Sequence, residues 1–105
     1  MSHELAEKVA GLASRVNNLA VNHTGDDSRA LLEVQDRLIK IELVAIIRDL
    51  NDEHKDYVAA IAGLDKAIDM IGDATGQIEK VAKAIQLAKK AADLAEKAIK
   101  TAAKA

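Results

Sequence analysis

Residues 77–103 have the sequence QIEKVAKAIQLAKKAADLAEKAIKTAA, and this stretch decides the fold class. At the 100° per residue of an α-helix, its apolar side chains collect in one arc roughly 200° wide. The stretch therefore predicts an amphipathic helix over about 77–103 that can be buried on both flanks. The arc consists of Ile78, Val81, Ile85, Leu87, Ala88, Ala92, Leu94, Ala95, Ile99 and Ala102.

The rest of the chain also has a helix-forming composition. Its 105 residues include no Pro and only five Gly, and are rich in residues that lose little rotamer freedom in a helix. Steps of four and three between apolar residues predict a first helix over about 4–21 and a third over about 55–71. A second helix over about 29–50 has apolar residues on more than one face, so it is expected to lie centrally. The first stripe consists of Leu5, Val9, Leu12, Val16 and Leu19.

Three polar segments are candidate turns between these helices. Residues 22–28, NHTGDDS, combine turn formers with helix-capping oxygens and predict the first turn. Residues 51–56, NDEHKD, fit either a second turn or the solvated part of a continuing helix, and heptad periodicity slightly favours continuation. Residues 72–76, GDATG, predict a third turn, because Gly72 suits a helix end even though the apolar spacing runs through it. We expect one all-α domain, an antiparallel bundle or long hairpin of three to four amphipathic helices.

The pattern of reactive side chains does not indicate an enzyme, a metal site or a cofactor site. The chain contains no Cys, and its three His are isolated from the Glu-x-x-His spacing of metal sites in helical bundles. No nucleophile elbow or phosphate-binding loop is present. The acidic cluster of residues 49–56 could hold a hard cation, but a solvated polar face or turn is the preferred interpretation.

Charge is unevenly distributed along the chain. Residues 1–76 carry a net charge of −6 and residues 77–105 a net charge of +4. Lys83, Lys90, Lys97 and Lys104 recur every seven residues and form a basic edge beside the apolar arc. Three interpretations of this helix compete: packing within its own bundle, docking to another protein or another copy of the chain, and binding to an anionic membrane surface. The candidate partner-binding residues are Ile78, Val81, Ile85, Leu87, Leu94, Ile99, Lys83, Lys90 and Lys97.

These features favour a non-enzymatic interaction or assembly protein, such as an adaptor, inhibitor, small chaperone or assembly subunit. The expected partner is another protein or a second copy of the chain, and homo-oligomerisation is anticipated because the core is thin for so short a chain. Membrane-surface binding is the alternative. Nucleic-acid binding is not expected, since the pI is about 5.9 and no Arg follows Arg48. No signal peptide or membrane-spanning run is apparent, which leaves a cytoplasmic location as the default and signal-less secretion open.

Overall fold

The computed structural model describes residues 3–74 and 80–104, without the side chain of Asp73, and these residues form four α-helices. The all-α prediction is confirmed: the described residues form an elongated bundle with extents of 43 × 19 × 16 Å and contain no strand, only an isolated bridge between two residues. None of the described helices is both long enough and apolar enough to cross a membrane. The helices are α1 (Glu4–Val21), α2 (Gly25–Ile47), α3 (Lys55–Ala74) and α4 (Val81–Thr101).

The four helices are arranged as two hairpins lying side by side. α1 packs against α2 and α3, and α4 packs against α3 and α2, whereas no contact is found between the described parts of α2 and α3. α1 and α3 are parallel, because contacts advance along both helices: Leu5 bonds Tyr57 at 3.0 Å, and Lys8 forms an ion pair of 2.6 Å with Asp65. α2 and α4 are parallel as well, with Arg37 beside Glu96 and Asp49 beside Lys104. The 48–54 connection therefore crosses one end of the bundle diagonally.

The core is built from aliphatic stripes and alanine. The stripe predicted for α1 is confirmed, since its five residues are at most 3% exposed. α4 contributes mainly small side chains, which allow its neighbours to approach closely. An added Cβ at Gly63 of α3 would lie 2.7 Å from Cδ1 of Leu94 on α4, which shows how near these two helices are. The buried alanines of α4 are Ala84, Ala88, Ala91, Ala92, Ala95 and Ala98.

The first turn occupies residues 22–24, only the first part of the predicted segment 22–28, because α2 begins four residues earlier than expected. Gly25 starts the helix with a φ of +68°, a left-handed conformation that glycine adopts without a Cβ clash. Ser28 is one of the residues whose oxygens were expected to cap α2. Its hydroxyl instead donates a hydrogen bond of 3.0 Å to the carbonyl oxygen of Ala20, which fastens α2 to the end of α1.

The connection between α2 and α3 corrects the slight preference for a continuous helix through residues 51–56. α2 ends at Ile47, three residues before the predicted limit, and α3 begins at Lys55 as predicted. The backbone nitrogen of Asn51 donates to the carbonyl oxygen of Ala102 at 2.7 Å, and that of Lys104 donates to Asp49 at 2.9 Å. Because these bonds pair the connection with the end of α4, its backbone leaves the helical path.

The second hairpin has different limits from those predicted. α3 continues through Gly72 to Ala74, beyond the expected end at residue 71, because a glycine is tolerated near a helix end at modest cost. α4 begins at Val81 rather than at residue 77. The remainder of the predicted 72–76 turn, at residues 75–76, lies outside the described residues.

Candidate partner-binding surface

The apolar residues predicted to bind a partner through α4 lie mostly inside the bundle. Val81, Ile85 and Ile99 are 0%, 7% and 8% exposed. Leu87 and Leu94 are half-buried and pack against the core. Ile78 lies outside the described residues. These side chains pack within their own bundle, so their role in binding a partner stays a prediction.

The basic edge of α4 remains on the surface and is partly neutralised by the acidic part of the chain. Lys83, Lys90 and Lys97 are exposed. The Lys97 ammonium lies 3.9 Å from a carboxylate oxygen of Asp56, and the Lys104 ammonium lies 3.8 Å from Asp49. Among the residues that the structure describes, Lys83 and Lys90 form no ion pair.

Among the described residues, most of the large exposed apolar side chains lie on α2. Four large aliphatic side chains and one carboxylate repeat at steps of four and three along its outer side, within an arc of roughly 80°. We call this row the α2 seam. The aliphatic members are 41–61% exposed, and Ile47 at the edge of the row is 81% exposed. The α2 seam consists of Leu32, Asp36, Ile39, Leu43 and Ile46.

The α2 seam corrects the expectation that α2 lies centrally. Apolar residues do occupy two faces of α2, but α1 and α4 cover only one of them, which contains Leu31, Leu38 and Ile41. In a bundle with four helices at its corners, each helix keeps an outer side in solvent. Sorting the apolar residues of α2 into two arcs shows from sequence that the helix has two apolar faces, but not which of them stays in solvent.

Polar side chains border the α2 seam on both edges. On one edge, the Lys40 ammonium lies 3.4 Å from a carboxylate oxygen of Asp36, one helical turn away. Both side chains are more than 70% exposed, so this pair contributes little to folding but remains accessible to a partner. The other edge carries Gln35 and Glu42, both half-buried. The row is thus apolar along its centre and hydrogen-bonding at its margins.

A shallow groove of about 340 Å³ lies between α2 and α4, next to the α2 seam. Ile41, Val44 and Ile99 are among the residues that line it. At its edge, Nε of Arg37 donates to a carboxylate oxygen of Glu96 at 2.6 Å, and the same guanidinium also bonds Asp93. These carboxylates, Glu96 first, raise the pKa of Arg37 above its ordinary value. These ion pairs hold α2 and α4 together, and they engage the Arg37 guanidinium at the edge of the groove.

The acidic cluster at residues 49–56 links the connection between α2 and α3 to the end of α4. The Thr101 hydroxyl donates to a carboxylate oxygen of Asp56 at 2.6 Å, and this bond, followed by the charges of Lys97 and His54, lowers the pKa of Asp56. Nδ1 of His54 accepts a hydrogen bond from the Asp56 backbone nitrogen in the first turn of α3. Within residues 3–74 and 80–104, no three His, Asp or Glu side chains are grouped so that they could hold a metal ion.

Comparisons with known proteins leave the α2 seam to be interpreted from its own geometry. No protein-family model matches the chain, and neither the curated proteins nor the solved structures include a similar protein at the level of a significant match.

Proposed function

We propose that the protein is a non-enzymatic interaction protein that binds a protein partner through the α2 seam. The observation that carries the proposal is the row of exposed Leu32, Ile39, Leu43 and Ile46 on one side of a single helix. Outside α2, the large exposed apolar side chains of the described chain are Val21 and Val58, on two different helices.

The driving force for such binding is removal of aliphatic surface from water. Each square ångström of apolar surface that a partner covers is worth roughly 25 cal/mol. Single exposed aliphatic residues are common on soluble proteins, but a contiguous row at heptad spacing is typical of a helix that packs against another helix. The row spans 15 residues, or about 21 Å at the rise of an α-helix, which matches the groove or helix of a partner.

The experiment that tests this proposal compares the proteins that are captured by the wild-type chain with those captured by a Leu43→Asp, Ile46→Asp variant. Both substitutions place a charge in the α2 seam, where the native side chains are 61% and 48% exposed and the fold should tolerate a change. Val58→Asp is the matched control, because Val58 is a 56% exposed aliphatic residue on α3. We expect the double variant to lose the captured protein and Val58→Asp to retain it. Equal capture by all three chains would contradict the proposal.

Membrane-surface binding by α4 is the competing proposal. It would use an apolar arc whose members Val81, Ile85 and Ile99 are buried, so the bundle would have to open first. Binding to anionic vesicles at low salt, with slower hydrogen exchange in an exposed α4, would support it. Vesicle binding that is lost in the Leu43→Asp, Ile46→Asp variant would instead assign the membrane contact to α2.

A further inference from the structure

We infer that the partner of the α2 seam is the α2 seam of a second copy of this chain, packed antiparallel to it around a two-fold axis beside Ile39. This inference rests on the proposed function and deepens it by naming the partner. It is carried by the self-complementarity of the row and of the polar residues on its two edges.

Three of the four apolar residues of the α2 seam are symmetric about its centre, whereas Leu43 has Asp36 as its counterpart in the row. Ile39 is the midpoint between Leu32 and Ile46, which are the first and last members of the row. A two-fold axis at Ile39 places Leu32 of each copy opposite Ile46 of the other and brings the two Ile39 side chains together. An isologous interface of this kind uses the same surface on both subunits and closes into a dimer.

The edges of the α2 seam are complementary to themselves in the same register. In an antiparallel pair, an edge of one helix faces the same edge of the other. Lys40 of each copy then lies beside Asp36 of the other, because positions 36 and 40 are nearly symmetric about the axis. On the second edge, Gln35 of each copy faces Glu42 of the other, which allows an amide-to-carboxylate hydrogen bond.

The parallel arrangement is less favourable because it brings like charges together. In a parallel pair in register, each residue of the seam lies opposite its own copy, so the two Asp36 carboxylates would meet within the interface. In the antiparallel pair, these carboxylates lie on opposite sides of the axis with the Lys40 ammonium groups between them. The repulsion between the two Asp36 carboxylates therefore favours the antiparallel orientation.

The length of the seam sets the strength of the dimer. A helix pair about 21 Å long covers less surface than a standard protein interface. We therefore expect a reversible dimer whose population rises with protein concentration in the micromolar range. Its mass would approach twice the 11.2 kDa of the single chain.

A charge-exchange experiment on the full chain tests the pairing of Asp36 with Lys40. Asp36→Lys and Lys40→Asp each replace both attractive pairs across the interface with repulsive pairs, so each variant alone should dimerise at least roughly tenfold more weakly than wild type. An equimolar mixture restores both attractive pairs and should form a mixed dimer, as measured by sedimentation. Lys66→Asp is the control, because Lys66 is exposed on α3, away from α2, and its reversal should leave the dimer unchanged. Circular dichroism checks that each variant keeps its helices.

Single cysteines test the orientation, using a short bismaleimide cross-linker. Ile39→Cys should cross-link to itself because it lies beside the axis, whereas two copies of Leu32→Cys should be about 21 Å apart and fail to react. Efficient self-cross-linking of Leu32→Cys would overturn the antiparallel arrangement.

The failure of this inference can be distinguished from the failure of the proposed function. A wild-type chain that stays monomeric at every concentration, or charge variants that dimerise as well as wild type, would overturn the inference. If such a chain still captured a different protein and lost it in the Leu43→Asp, Ile46→Asp variant, the proposed function would stand with another partner.

Discussion

The phenolic oxygen of Tyr57 lies 3.0 Å from the backbone nitrogen of Leu5 and accepts its hydrogen bond. The first backbone N–H groups of a helix have no acceptor within the helix. The Tyr57 hydroxyl on α3 therefore supplies an acceptor for one of these N–H groups of α1. Tyr57 is 1% exposed and is the only aromatic residue of the chain. The bond ties the start of α1 to the start of α3 and fixes the end of the bundle where these two helices begin.

Replacing Tyr57 with Phe should destabilise the fold by about 1–3 kcal/mol, because a buried amide would lose its acceptor while the ring still fills the same space. Urea unfolding followed by circular dichroism measures the change. Since surface substitutions usually remain within about 0.5 kcal/mol, a loss no larger than that would show that the Leu5 bond does not support the fold.

Two Gly-to-Ala substitutions should have opposite effects. Gly72 lies in α3 with no atom near the position of an added Cβ, so Gly72→Ala should raise the free energy of unfolding by up to about 1 kcal/mol. Gly25 has a φ of +68°, so Gly25→Ala should lower it by about 1 kcal/mol. Thermal unfolding of both variants beside wild type checks the signs, and a stabilising Gly25→Ala would contradict the left-handed start of α2.

The two faces of α2 should respond differently to truncation. Leu38 is fully buried and Leu43 is 61% exposed on the same helix. Leu38→Ala should cost about 2–5 kcal/mol because it opens a cavity. Leu43→Ala should change the stability of the monomer by no more than about 0.5 kcal/mol. Denaturant unfolding at low protein concentration separates the two cases, and comparable losses would place Leu43 in a core.

Asp56 should make the fold sensitive to acid. Its pKa in the folded chain lies below the ordinary 3.8, so the stabilisation is complete above that value and is lost as the pH falls through the lower folded pKa. Thr101→Val removes the hydroxyl that contributes most to this shift. The stability difference between wild type and Thr101→Val should therefore shrink as the pH falls from neutral to well below 3.8, as measured by urea unfolding at each pH. A difference independent of pH would show that the Thr101 bond does not act on the charge of Asp56.

Periodicity predicted the elements whose apolar residues occupy one face. The predicted limits of α1 are correct at both ends, because its stripe from Leu5 to Leu19 is regular and the polar segment after it contains Gly25. The end of α2 was set too late because it depends on a pairing between Asn51 and Ala102, which lie far apart in the sequence. Local patterns contain no information about such a contact.

The binding surface was harder to predict than the fold. Periodicity tells which side chains share a helix face, but not which face a neighbouring helix covers. The wide apolar arc of α4 indicated a docking face, yet its Val81 and Ile99 are buried beside other helices. The two apolar faces of α2 suggested a central helix, and only the packing of α1 and α4 revealed that Leu43 and Ile46 remain outside.

Site-specific photocross-linking tests the central claim most directly, namely that the α2 seam is the surface that meets a partner. A benzoyl-phenylalanine placed at Leu43 samples the α2 seam, and the same group at Val58 samples a position of similar exposure on α3. We expect a discrete cross-linked product from position 43, of twice the chain mass if the partner is a second copy, and none from position 58. Products from position 58 with none from position 43 would contradict it.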